Sequence, residues 1–377
     1  MILTQCAVCA TELGLSLGKK CGRCSTRYCG AECQVQHWKE GGHDTLCKKI
    51  KKAGGAEQYN ANKKYSEAVA VAAEACAEDT KGQTCYICTQ AVHWKTKEGL
   101  VRGCSCRGTA GFVHVSCLAE QAKILIAEAE ENKLGDDALN GRWVRWHTCS
   151  LCEQDYHGVV AHALGWSCWK TYLGRPEADW NRRLAIGVLG NGLNKADRHE
   201  DALSVYGAEL PLLRRIGASE DEILITQSNL ANSYDQLGRS EEALSMRRDV
   251  YSGRLKLSGE EHERTLRAAS NYAASLARLR QSEEAKALLR KTIPATRRIL
   301  GESHQITLHL RCNYALALYE DPAATLDDLR EAVTTLEEIE TTARRVLGGA
   351  KPLTVAIERE LQQSREVLQI AQRLQNV

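Results

Sequence analysis

The strongest constraint in this sequence is the placement of its cysteines. Of 17, fifteen fall before residue 153, and only Cys168 and Cys312 lie beyond. Most come in pairs separated by one to three residues: Cys6 and Cys9, Cys21 and Cys24, Cys29 and Cys33, Cys85 and Cys88, Cys104 and Cys106, Cys149 and Cys152. Two more pairs join a histidine to a cysteine, His43 with Cys47 and His114 with Cys117. A short spacing of this kind sets two ligand atoms on one turn or one helical face, where both reach a single ion. Zinc takes four such ligands in a tetrahedron, so two pairs close one structural site. A disulfide framework gives no reason for a histidine at fixed spacing from the last cysteine.

The first of these segments, about forty residues with few large apolar groups, cannot bury enough surface to fold alone. Structural zinc, at roughly 10–16 kcal/mol per site, supplies the missing stabilisation. The N-terminus, Met1 to Cys9, has neither a basic n-region nor a long apolar stretch, so no signal peptide is expected. No window approaches the ~18 apolar residues of a transmembrane helix. The expectation is an intracellular chain, cytoplasmic and/or nuclear, with no membrane partner. In that reducing environment cysteines serve as thiolate ligands. The net charge of +2 selects no partner. The first 64 residues hold eleven Lys and Arg against five Asp and Glu, with Lys48, Lys49, Lys51 and Lys52 in one run. That run reads as a solvated helix face; no aromatic side chains interleave the lysines, so nucleic acid is not the expected partner.

Residues 6–47, with Tyr28-Cys29, Cys33-Gln34, His37-Trp38 and a closing His43-x3-Cys47, closely resemble the MYND zinc finger. The resemblance implies an interleaved topology: Cys6, Cys9, Cys29 and Cys33 on one ion, and Cys21, Cys24, His43 and Cys47 on the other. His37, ten residues from Cys47, reads as a packing or surface histidine beside Trp38. MYND fingers are protein-binding modules that commonly engage proline-containing peptides. Some occur within lysine methyltransferases, but nothing here resembles the SET domain which that activity needs.

Residues 56–79 read as a linking helix, with Tyr65, Val69, Ala72 and Ala73 at helical spacing and Cys76 as a core thiol. The next segment, 85–157, carries a C4HC3 ligand set. One residue between its third and fourth ligands, seven before the histidine, and the string CSCRGTAGFVHVSCL resemble RING-CH fingers. Cross-bracing in that family implies Cys85, Cys88, His114 and Cys117 on one ion, and Cys104, Cys106, Cys149 and Cys152 on the other. The insert at 118–140 reads as a helix followed by a loop. RING-type modules catalyse by holding a ubiquitin-charged conjugating enzyme against a substrate, that is by proximity. Ile87 matches their apolar contact to the conjugating enzyme. Gln121 stands where an aromatic is frequent, and Glu153 where a cation is frequent.

Beyond residue 178 a period of 42 residues appears. Asn229-Leu230-Ala231, Asn271-Tyr272-Ala273 and Asn313-Tyr314-Ala315 recur, with a weaker copy at Val188-Leu189-Gly190. Gly259-Glu-Glu-His and Gly301-Glu-Ser-His repeat in matching loops. Small residues at Gly190, Ala231, Ala273 and Ala315, and at Ala202, Ala243 and Ala285, let paired helices approach; Leu193, Tyr234, Leu276 and Leu318 fill between them. No unit buries its apolar face alone, so units stack. The pattern over 178–375 resembles tetratricopeptide repeats, most nearly those of kinesin light chains. Such solenoids hold extended peptides on a concave face, and Asn229, Asn271 and Asn313 occupy one equivalent position there. Each amide offers a donor and an acceptor for a peptide backbone; the alternative is a bond between neighbouring helices. The domain boundary is expected near 158–178, at Gly165, Gly174 and Pro176.

The expected fold is thus a pair of small zinc-stapled modules followed by an all-α tetratricopeptide-type solenoid, with four zinc ions. The expected function is a zinc-binding modular adaptor that recruits a protein client through its helical repeats. Its second finger suggests a role like that of an E3 ubiquitin ligase, with a ubiquitin-conjugating enzyme as partner. A non-catalytic interaction scaffold is the alternative.

Overall fold

The computed structural model describes residues 4–15, 17–349 and 351–375. In chain order it contains strands β1 (Lys19–Lys20) and β2 (Arg27–Tyr28), then helices α1 (Ala31–Lys39), α2 (His43–Lys52), α3 (Ala56–Ala75), α4 (Val115–Glu131) and α5 (Asp136–Trp143). There follow α6 (Gly158–Tyr172), α7 (Trp180–Asn194), α8 (His199–Arg215), α9 (Glu220–Gln236), α10 (Ser240–Ser258), α11 (Glu263–Arg278), α12 (Ser282–Leu300), α13 (Gln305–Tyr319), α14 (Leu326–Leu347) and α15 (Pro352–Gln375). β1 and β2 pair antiparallel, Lys19 opposite Tyr28. No helix among the described residues is long and apolar enough to cross a membrane. The chain divides into two compact units, Met1–Ser219 and Glu220–Val377.

The first unit is cysteine-rich loops arranged with helices, and α6 is its centre. Every residue from Val160 to Trp169 is buried, so α6 is covered on all sides, as a core helix must be. It packs on α3, α4 and α7. The approach to α7 needs glycine. A Cβ on Gly165 would lie 3.1 Å from Leu189 Cα, and one on Gly192 would lie 2.5 Å from the Ala161 carbonyl oxygen. Gly165, which suggests a domain boundary in the sequence, is therefore a packing residue inside a helix. His162 on α6 is buried and accepts a 3.0 Å bond from Trp166 Nε1; burial holds its pKa down at about 4, so it stays neutral. The helix α3 ends at Ala75, and Cys76 caps it half-buried, its Sγ 3.8 Å from the Arg102 carbonyl oxygen. Along α3, Ala61, Tyr65, Ala68, Val69 and Ala72 form the buried face.

The insert after Cys117 is two helices, α4 and α5, where the sequence suggests one helix and a loop. The second is fixed by Trp143, buried against the rings of Tyr172 (5.3 Å) and Trp180 (5.6 Å). Glu130 at the end of α4 accepts two bonds from Arg175, at 2.6 and 2.8 Å, and one from Asn181 at 2.6 Å. These tie the second finger to the start of α7. The lysine run lies on the exposed face of α2, and Lys49, Lys51 and Lys52 fall in its last turn, where the helix dipole favours cations.

The second unit repeats one construction. Ala231, Ala243, Ala273, Ala285 and Ala315 are fully buried where helices cross. Consecutive helices pack together, and so do α11 with α13 and α13 with α15, which is the stacking of a solenoid. The Gly-Glu-x-His loops have a mechanical role. Gly259 (φ 80°) and Gly301 (φ 87°) end α10 and α12 in the left-handed region. His262 and His304 then accept the N–H of Arg264 (3.1 Å) and Ile306 (3.3 Å), capping α11 and α13. The tyrosine of the Asn-Tyr-Ala motif joins neighbouring helices: Arg248 Nε donates to Tyr272 Oη at 3.1 Å, and 42 residues on Arg290 Nε donates to Tyr314 Oη at 3.3 Å.

Two glycines in α7 separate packing from helix propensity. Gly192→Ala forces α6 and α7 apart and is expected to cost roughly 1–3 kcal/mol. At Gly187 an added Cβ meets nothing within 4 Å. Gly187→Ala is therefore expected to stabilise by about 0.5–1 kcal/mol. Denaturant titration of the two variants checks both signs.

Candidate metal centres and repeat groove

Each metal centre grows from a backbone turn that occurs four times. In Cys6–Cys9, Cys21–Cys24, Cys85–Cys88 and Cys149–Cys152, the first cysteine's carbonyl accepts the N–H of the residue after the second cysteine. The four distances are 3.2, 2.9, 2.8 and 3.1 Å, from Ala10, Ser25, Thr89 and Glu153. The first cysteine's own N–H bonds the carbonyl of Thr11, Thr26, Gln90 or Gln154, at 2.8–3.0 Å. To close this turn, Ala10, Ser25, Thr89 and Glu153 all take φ of 55–62°, a region that costs a residue with a Cβ about 1–2 kcal/mol. The strain aims both thiols to one side. Backbone N–H groups of Ile87, Cys88 and Leu151 also point at the first cysteine's sulfur, at 3.4–3.5 Å, a direction that favours the thiolate.

The folded chain brings these turns together with the remaining ligands in four groups. Cys6, Cys9, Cys29 and Cys33 form one; Cys21, Cys24, His43 and Cys47 the second; Cys85, Cys88, His114 and Cys117 the third; Cys104, Cys106, Cys149 and Cys152 the fourth. Within each, all four ligand atoms lie within 4.8 Å of one another. A tetrahedron with Zn–S bonds of about 2.3 Å has edges of roughly 3.8 Å. The sulfur pairs are 3.4 Å for Cys9 and Cys29, 3.5 Å for Cys29 and Cys33, 3.9 Å for Cys21 and Cys47 and 3.8 Å for Cys106 and Cys149, far from any S–S bond. His43 presents Nε2 to Cys24 at 3.4 Å, and His114 presents Nδ1 to Cys88 at 3.3 Å. Burial lowers the pKa of His114, which keeps the imidazole in the neutral, ligating form.

Crowded thiols compete for ionisation. Thr11 holds Cys9 down at about 6, while Cys29 and Cys9 push Cys33 up to about 12. Burial together with Cys24 and Cys21 pushes Cys47 up to about 11. A divalent cation ends that competition, because it favours the thiolate at all four positions. The donor set therefore fits zinc, and the closed four-ligand groups leave no open coordination position for catalysis. The protein has four such zinc-binding sites. His37 belongs to none: its Nδ1 lies 3.0 Å from Tyr28 Oη, and its ring packs 4.9 Å from that of His43. Cys168 and Cys312 are buried away from the groups, and Cys76 lies outside them.

Residues 6–47 match the MYND finger. Residues 85–133 match the RING-variant domain, and the two spans 223–264 and 265–306 each match a tetratricopeptide repeat. The RING-variant match ends before Cys149 and Cys152, which the fold itself delivers to Cys104 and Cys106. No curated protein matches the chain. Among solved structures, TPR-like repeats of kinesin-light-chain type from Podosopora anserina are similar at 18% identity, covering 62% of this chain and 97% of that one, with a TM-score of 0.41. BtubC (BKLC) from P. vanneervenii is similar at 16% identity over 70% and 91% of the two chains, TM-score 0.40. The TPR2AB domain of yeast Sti1, solved as a pHSP90 complex, is similar at 13% over 66% and 99%, TM-score 0.24.

In the RING-variant segment, Ile87 sits inside the Cys85–Cys88 turn and is 37% exposed. Gln121 is half-buried on α4, and Glu153 is exposed in its strained turn. In the repeats, Asn229, Asn271 and Asn313 are all half-buried. Asn229 and Asn271 line one cavity of about 440 Å³, and Asn271 and Asn313 line the next, of about 410 Å³; Arg267 lines both. The three amides are not equivalent, however. Asn313 Nδ2 donates to the Ser270 carbonyl of α11 at 3.0 Å, so this one also joins two helices. The side chains of Asn229 and Asn271 make no such bond among the described residues.

Elemental analysis of the purified protein should return four zinc ions per chain. Cys76→Ser, Cys168→Ala and Cys312→Ser should keep all four, whereas Cys47→Ser should lose one. The site of Cys6, Cys9, Cys29 and Cys33 should release its ion first to a chelator. Cys9 and Cys29 are exposed there, whereas all four ligands of the second site are buried. Loss of zinc from the second site first, read by mass spectrometry of alkylated cysteines, contradicts that order.

Proposed function

We propose that this chain is a modular adaptor whose second finger recruits a ubiquitin-conjugating enzyme to a client held by the helical repeats. The coarser part of this reading is direct: zinc fingers and tetratricopeptide repeats together make a protein-interaction adaptor. The finer part is carried by one observation. Ile87 projects, partly exposed, from a turn whose backbone bonds and two zinc thiols hold it rigid. A small apolar contact fixed in this way is what docking another folded protein requires, because little entropy is lost on binding. The finger then contributes proximity and orientation, with no chemical group of its own.

The repeat grooves support the client half. Asn229 and Asn271 present unspent amides along neighbouring cavities, at the spacing of successive repeats, where an extended backbone offers matching donors and acceptors. The zinc ligands proposed are the sixteen residues of the four groups, and the partner-contact residues are Ile87, Asn229, Asn271 and Asn313.

The scaffold reading has its own support. Glu153 is exposed where such fingers often carry a hydrogen-bonding cation, and a carboxylate cannot donate. Ubiquitin transfer by the native chain is therefore expected to be weak. Ile87→Ala should lower transfer about tenfold or more without changing zinc content, and Glu153→Arg should raise it. An autoubiquitination assay across a panel of conjugating enzymes reads both. If the native chain transfers nothing and Glu153→Arg restores nothing, the scaffold reading replaces the ligase reading.

A further inference from the structure

A groove of about 1000 Å³ in the first unit lies beside the second finger and is lined by α3, α4, α6 and the loop after Cys88. Three exposed apolar side chains converge on it: Ile87, Trp94 (68% exposed) and Ile124 (48% exposed). A bare zinc finger would not have this groove, because two of its walls, α3 and α6, come from outside the 85–133 segment.

Its charge is as informative as its apolar lining. Lys170, in the last turn of α6, extends its Nζ over the Tyr65 ring, 3.3 Å from the centroid. The ring and the helix end favour a cation there. Among the described residues that ammonium has no hydrogen bond and no ion pair. Glu98, the acid that acts on it electrostatically, is already engaged. Its carboxylate accepts the Ser116 N–H at 2.7 Å, the Ser116 hydroxyl, and Tyr65 Oη at 3.4 Å. Burial lowers the Lys170 pKa, as expected for a charge whose desolvation is not fully compensated. Elsewhere on the rim, Lys123 is neutralised by Glu120 at 3.3 Å, and Lys95 is exposed with no partner among the described residues. The groove is therefore apolar with surplus positive charge.

We infer that this groove is a docking site for a linear acidic peptide: an aromatic or aliphatic side chain packs on Trp94 and Ile124, and a neighbouring carboxylate pairs with the Lys170 ammonium. A carboxylate supplies the acceptor that Lys170 lacks, and a half-buried pair of this kind is screened less by salt than a surface one. The inference rests on the adaptor reading but not on ubiquitin transfer. The two are separated by measuring binding with no conjugating enzyme present.

The test pans a displayed library of random twelve-residue peptides on the full-length zinc-loaded chain. Recovered peptides are then measured by fluorescence polarisation on the native chain and on Lys170→Glu, Lys170→Arg and Ile124→Asp. Zinc content and circular dichroism confirm that each variant folds. The expected result is a class of peptides with Asp or Glu beside Trp, Phe or Leu that lose about tenfold or more on Lys170→Glu and on Ile124→Asp. The same class should keep most of its affinity on Lys170→Arg. Peptides held by the repeat groove should be indifferent to all three changes. The inference is overturned if no recovered peptide responds to Lys170→Glu, or if the responsive ones carry no acidic residue. It is equally overturned if Lys170→Glu abolishes binding only of an intact conjugating enzyme, which would give the groove to that partner instead.

Discussion

The first unit depends on one interaction repeated four times, the convergence of thiolates and imidazoles on a divalent ion. Loops dominate residues 4–30 and 77–114, and apart from their ligands they bury only a few apolar side chains, such as Leu13, Tyr28, Val101 and Phe112. Each group joins ligands far apart in sequence, such as Cys21 with Cys47, or Cys106 with Cys149. Closing loops of that length by metal gives the stabilisation which a small apolar core cannot. The strained residues Ala10, Ser25, Thr89 and Glu153 show the same logic in reverse. Four left-handed conformations without glycine are held by the backbone bonds that close these turns, and metal binding offsets their cost.

Once the fingers are fixed, the helices give them surroundings. The central helix α6 is buried on all faces, and α3, α4 and α7 lie against it. The second finger is therefore embedded in a helical unit, and α3 and α6 wall the groove beside it. The second unit uses a different principle. Its described residues form no such ligand group; alanine crossings, histidine caps and Arg–Tyr bonds recur at the 42-residue period, so its stability is a sum over neighbours.

Much of this was legible in the sequence for a simple reason: ligand chemistry and repeats leave residue-level marks. The sixteen Cys and His positions announce themselves by type and spacing, and the pairing of distant ligands came from resemblance to interleaved fingers. What escaped was set by tertiary contact. Gly165 reads as part of a domain boundary and is the point where α6 meets the backbone of Leu189. The short helix α5 has no strong periodicity and is held by the ring of Trp143. The left-handed residues of the turns gave no glycine signal. Asn313 looks identical to Asn229 and Asn271 in the motif, yet its amide is bonded to Ser270, because only the fold shows which neighbour lies within reach. The unpaired Lys170 carried no motif at all.

Metal coordination, more than the packing of the loops, holds the first unit's fingers. Hydrogen exchange measured before and after removal of zinc by a chelator tests this most directly, at the amides of Ala10, Ser25, Thr89 and Glu153 that close the four turns. These amides should lose their protection in the metal-free protein while those of α9 to α14 keep theirs. Turn amides that stay protected without metal would contradict it.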